Sequence, residues 1–185
     1  MADAPLIVGT PVAGGGASTT TPSATMPSGS FTAGDQLFVL LTTADQTITP
    51  PAGWTLVKGY QDAGFTRLGL YAKESAGSEA GTTISFTASS ATPYASVGFR
   101  VTGGDLDRII ASTGSDGATA TIVGDEVTAE LDVEQLFIWC AGWVDDDGNL
   151  TAYPPYFLEG RSTAVSGGGT NAGAGVGLAA RRKIA

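Results

Sequence analysis

Gln36-Leu37-Phe38-Val39-Leu40-Leu41 is an unbroken apolar run between Gly34-Asp35 and Thr42-Thr43-Ala44-Asp45. A run this short, bounded by turn residues, suits a buried strand better than a helix. Downstream, Pro50-Pro51-Ala52-Gly53 is a turn signal, with φ fixed at the prolines and free at Gly53. Trp54-Thr55-Leu56-Val57 follows it as a strand. Arg67-Leu68-Gly69-Leu70-Tyr71-Ala72-Lys73 then alternates polar and apolar residues, the period of a strand with one wet face. Thr82 to Thr87 and Ala95 to Val101 do the same. Strands at this spacing, separated by Gly, Pro and Asp, predict an all-β sandwich or barrel.

The opening run has a counterpart. Gln36-Leu37-Phe38-Val39 returns as Gln135-Leu136-Phe137-Ile138, Pro50-Pro51 as Pro154-Pro155, and Gly69-Leu70-Tyr71-Ala72-Lys73 as Gly177-Leu178-Ala179-Ala180-Arg181. The order is the same each time, which points to an internal repeat of roughly residues 19–75 and 118–185. Three or four strands per half are marginal alone. Packed together they form a two-sheet antiparallel β-sandwich, jelly-roll-like and built from two similar halves, with Leu37 and Leu136 in one interior. The whole chain, 1–185, is then a single domain. Residues 1–12 are expected to form an extended arm. The run Ala13 to Thr21 reads as a flexible loop or edge segment.

Composition narrows the chemistry. The chain has 185 residues, enough to bury a core without disulfides or metal. Its 27 glycines are about twice the ordinary share and argue for many turns. Nine Lys and Arg against 18 Asp and Glu give a net charge of −9, which disfavours nucleic acid as a partner. Histidine is absent, so there is no imidazole proton shuttle, metal ligand or Ser-His triad. Cys140, alone and inside an apolar run, reads as a small buried hydrophobe. The N-terminus lacks the features of a signal peptide, and no apolar stretch is long enough to span a membrane. No cofactor and no catalytic residues are expected, so the chain reads as a non-enzyme.

A contact surface is the remaining candidate. Asp145-Asp146-Asp147-Gly148-Asn149 fails the calcium-loop spacing, because Leu150 and Tyr156 stand where Gly and Glu are needed. It reads as an acidic hairpin tip. Trp54 and Trp139 fall in apolar strand patterns and are expected in the core. Trp143, Tyr153 and Tyr156 flank the acidic tip and are the candidates for an aromatic contact patch. Arg181 and Arg182, with Lys183, form a basic run that could meet an acidic partner. Neither glycine run is followed by the Lys-Ser/Thr of a phosphate loop.

The segment Ala33-Gly34-Asp35-Gln36-Leu37-Phe38-Val39, then Ile48-Thr49-Pro50-Pro51-Ala52-Gly53-Trp54-Thr55-Leu56-Val57, resembles a β-sandwich module of tailed-bacteriophage virion proteins. There the order is a Gly-Asp turn, an apolar strand, a Thr-Pro-Pro-Ala-Gly-Trp turn and a strand like Leu70-Tyr71-Ala72-Lys73. The second half departs from it at Tyr153-Pro154-Pro155-Tyr156. The resemblance implies a structural protein of the virion, made in the bacterial host cytoplasm. A capsid decoration or cement protein, binding the major capsid protein or other virion proteins as a homo-oligomer (a trimer), is the leading expectation. The alternative is a tail-fibre or adhesin module recognising a host glycan or receptor. Contacts are expected from residues 2–12, 145–149 and 181–185.

Overall fold

The computed structural model describes residues 5–62, 66–103, 134–143, 153, 157–165 and 174–183. These hold strands and no helix, and every strand pairing is antiparallel. The opening run becomes β4 of the set β1 (Leu6–Ile7), β2 (Val12–Thr19), β3 (Ser23–Thr25) and β4 (Gln36–Ala44). Next come β5 (Ile48–Thr49), β6 (Thr55–Asp62), β7 (Thr66–Glu74), β8 (Thr83–Ser85), β9 (Thr87–Ala88) and β10 (Thr92–Thr102). The chain closes with β11 (Gln135–Trp143), β12 (Glu159–Val165) and β13 (Gly175–Lys183).

Strand β4 is buried from Gln36 to Thr43, which explains why its sequence is continuous rather than alternating. It lies mid-sheet in the order β1-β10-β4-β7-β6, with β2 also paired to β10. Two cores follow from its two faces. On one, Phe38 and Leu40 join Val97, Phe99 and Val101, and the Phe38 and Phe99 rings stack at 5.1 Å. A second sheet, ordered β11-β13-β12, covers this face with Val176, Leu178 and Ala164. On the other face, Leu37, Val39, Leu41 and Tyr71 pack with Trp54, Met26, Phe31 and Phe86. That core is closed by irregular chain and by the small ribbons β3–β8 and β5–β9.

This corrects one expectation. Leu37 and Leu136 do not share an interior: Leu37 belongs to the core beneath the ribbons, whereas Leu136 packs against the core between the two large sheets. The strands β4-β7-β6 and β11-β13-β12 have the same first-third-second order, and Gln36 faces Glu74 as Gln135 faces Lys183. The likeness ends at the faces. Leu37, Val39 and Leu41 turn away from the second sheet, while their counterparts Leu136, Ile138 and Cys140 turn toward the first. Both faces of both strands are apolar, so either could have been the inward one.

The quoted turns have clear physical causes. Gly34 adopts φ +93°, and Asp35 accepts the Thr32 N–H at 2.8 Å and lies 3.5 Å from the Arg100 guanidinium. Arg100 also donates to the Ser30 carbonyl and covers the Phe31 ring. In the second turn, Trp54 N–H donates to the Pro51 carbonyl and Gly53 takes φ +82°, a type II geometry that only glycine adopts freely. The turn thereby delivers Trp54 into the core.

One further expectation changes and another narrows. The arm is docked over its described part: Leu6 and Ile7 pair with Thr102 and Val101, and Val8 N–H donates to the Arg100 carbonyl. Of the two readings of the stretch from Ala13, flexible loop or edge segment, the second holds: it is strand β2, paired with β10. Without side chains, Gly14, Gly15 and Gly16 let neighbours approach: the Tyr94 ring lies over Gly16, and the Val165 carbonyl would stand 2.9 Å from a Cβ at Gly15.

Candidate contact surface

The second sheet presents its outer face away from the core. Because Leu136, Ile138 and Cys140 turn inward, alternation turns Phe137, Trp139 and Trp143 outward. On β13 the residues opposite them are Arg181, Ala179 and Gly175. Buried Ala179 and Gly175 therefore lie beside the two tryptophans, and exposed Arg181 beside Phe137. The Trp143 indole fills the space above Gly175, where no Cβ could fit. Stacking a ring on a cross-strand glycine compensates for the packing that glycine cannot supply.

Trp139 meets Tyr153 edge-on, with ring centroids 6.2 Å apart and planes at 75°. The Arg161 guanidinium lies 5.0 Å above the Tyr153 ring, and its Nε–H donates to the Phe157 carbonyl at 2.7 Å. An arginine oriented in this way by a ring and a carbonyl keeps its remaining donors for an external acceptor. Arg161 and Arg181 are both exposed. With Arg182 and Lys183 they make four of the nine Lys and Arg residues of this acidic chain. Leu158 and Val165 add exposed apolar area, at 73% and 47%.

Of the residues picked from sequence, Trp143, Tyr153 and Arg181 are described, and Trp143 and Arg181 share the outer face by their registers. Arg182 lies opposite Leu136 in β13. Asp145, Asp146, Asp147 and Tyr156 lie outside the described residues. Trp139 is a correction: it is half-buried on the outer face against Tyr153, not in the core, whereas Trp54 is in the core as expected. Arg161 was missed, although the alternation of Arg161, Thr163 and Val165 along β12 carries the signal.

Cys140 packs against the inter-sheet core, and burial pushes its thiol up to about 12, leaving almost no thiolate at neutral pH. Among the described residues, no cluster of three His, Cys, Asp or Glu could hold a metal ion. No helix among them is long and apolar enough to cross a membrane. No protein-family model, curated protein or solved structure matches the chain.

Proposed function

We propose that this chain is a bacteriophage virion structural protein without enzymatic activity, and that it decorates the capsid by binding the major capsid protein lattice. The outer face of the second sheet carries this reading. Trp139, Tyr153 and Arg161 form one connected cluster there, with Arg181 on the same face. Aromatic residues and arginine are the types enriched at the centres of protein interfaces. The Gly-Asp and Pro-Pro-Ala-Gly-Trp turns, shared in outline with virion β-sandwich modules, support the setting. The chain would then be made in the host cytoplasm and reside in the virion.

The test is co-sedimentation of the purified chain with capsids that lack it. Arg161→Glu should lower occupancy at least tenfold, which corresponds to about 1.4 kcal/mol, with the fold intact by circular dichroism. Full occupancy by that variant would overturn the reading. Glycan recognition is the weaker reading. Trp143 lies on Gly175 and the Tyr153 face carries Arg161, so two of the rings a sugar would stack on are already covered. Saturable tryptophan quenching by a glycan would reverse that ranking.

A further inference from the structure

We propose that Arg161 is a receptor for a single carboxylate, an Asp or Glu side chain that the partner protein displays beside an apolar residue. This rests on the decoration reading for where the partner stands, and deepens it by naming what is gripped.

A guanidinium offers its donors in a flat fork. An oxyanion can be held side-on, by Nε and one Nη, or end-on, by the two Nη atoms. In Arg161 the side-on approach is occupied, because Nε–H donates to the Phe157 carbonyl at 2.7 Å. One face of the plane is occupied as well, by the Tyr153 ring with its centroid 5.0 Å from the guanidinium carbon. The Trp139 ring holds Tyr153 edge-on in turn, at 6.2 Å between centroids. Among the described residues, Arg161 has no ion pair. The end-on pair of Nη atoms is what its exposed side chain presents outward. Two parallel N–H groups match the two oxygens of one carboxylate.

Exposed ion pairs usually contribute little, because two long side chains must be ordered and water screens them. Both costs are reduced here. The Tyr153 ring and the Phe157 carbonyl already fix the guanidinium, so less freedom is lost on binding. Apolar side chains stand before and after the cation in the chain, Leu158 at 73% exposure and Val165 at 47%. Arg161, Thr163 and Val165 are alternate residues of β12, and all three are exposed. A partner covering this stripe shuts water out of the contact, which is where a charged pair gains strength.

The same stripe separates the classes of partner. A nucleic acid needs many cations along its phosphates, and this chain has a net charge of −9. A small free anion makes no use of Leu158 or Val165. A protein surface with an acidic side chain beside an apolar one uses all three.

The purified chain and capsids that lack it supply the test. Capsids whose exposed carboxylates are converted to neutral amides with a carbodiimide and ethanolamine should lose at least tenfold in occupancy. Arg161→Lys keeps the charge without the fork, and should lower occupancy of untreated capsids about fivefold, with the β-type circular dichroism kept. Full occupancy on amidated capsids, or by Arg161→Lys, overturns the receptor and leaves decoration standing. Should the wild type not bind capsids at all, decoration falls and an NMR titration decides. The Arg161 side-chain N–H signals should then move saturably with acetyl-glutamyl-leucine amide and stay in place with acetyl-glutaminyl-leucine amide. Equal responses to the two dipeptides, or a larger one to inorganic phosphate, overturn the proposal. Self-association of the wild type that Arg161→Gln abolishes also overturns it, because the fork then belongs to a second copy of this chain.

Discussion

Glu79 Oε2 accepts the Ser75 hydroxyl at 2.8 Å, closing a turn of five residues on a single carboxylate. The same carboxylate takes the N–H groups of Ala76, Gly77 and Ser78 and the Lys73 ammonium at 3.1 Å. Burial alone would raise the Glu79 carboxyl, but the Ala76 amide, the Ser75 hydroxyl, Lys73 and the Ser78 amide outweigh it and hold it at about 2, below the ordinary 4.5. A depressed folded value means that the unfolded chain binds more protons between these limits, so stability rises with pH there. The contribution is complete above pH 4.5 and is lost as pH falls to about 2. Glu79→Gln should therefore cost about 2 kcal/mol at pH 7 and flatten the acid limb of a urea-denaturation series. An unchanged acid limb would contradict the role given to this turn.

Gly98 sits on β10 where β3 crosses it. A Cβ there would run into the Thr25 carbonyl and stand 2.8 Å from Met26 Cε. The carbonyl belongs to backbone held by pairing with β8, so it has little room to move. Gly98→Ala should destabilise by about 1–3 kcal/mol through overpacking, read as a lower urea midpoint with an unchanged slope.

These features differ in how far the sequence announces them. β7 and β10 read as strands from their alternation of residue type, although folding buries both faces of β10 from Ala95 to Phe99, and β4 shows a continuous run because both its faces are covered. The Gly34 and Gly53 turns are legible because their φ values exclude most other residues. The second core is only partly legible: Phe86 falls in the alternating run from Thr82, but Met26 and Phe31 come from irregular chain with no period. The outward position of Trp139 is not legible. Gln135-Leu136-Phe137-Ile138-Trp139 is apolar on both faces, one for the core and one for the surface patch, and alternation cannot say which is which. Arg161 gains its meaning only from Tyr153 and Phe157, which folding brings to it.

Gly53 offers a contrast with Gly98. At φ +82° its nearest neighbour to a new Cβ is the end of the flexible Lys73 side chain at 3.6 Å, so space is not the obstacle. The cost of Gly53→Ala is the left-handed backbone itself, about 1–2 kcal/mol. Gly53→Asn, which tolerates that region better, should recover part of the loss. Equal midpoints for wild type and Gly53→Ala would show that the turn relaxes into another form.

Cys140 carries a prediction of the opposite sign in pH. Its folded thiol is held near 12 against an ordinary 9.0 because burial disfavours the thiolate. Between those values the unfolded chain binds fewer protons, so this residue's contribution is complete below pH 9.0 and is lost as pH climbs toward 12. The same shift leaves about a thousandfold less thiolate in the folded protein at pH 8. Iodoacetamide should therefore label native Cys140 several hundred times more slowly than the urea-unfolded chain. Cys140→Ser should weaken the alkaline stability loss while lowering stability by about 1–2 kcal/mol at neutral pH, since it buries a hydroxyl against Leu178 and Val176. Rapid native labelling would place the thiol outside the inter-sheet core.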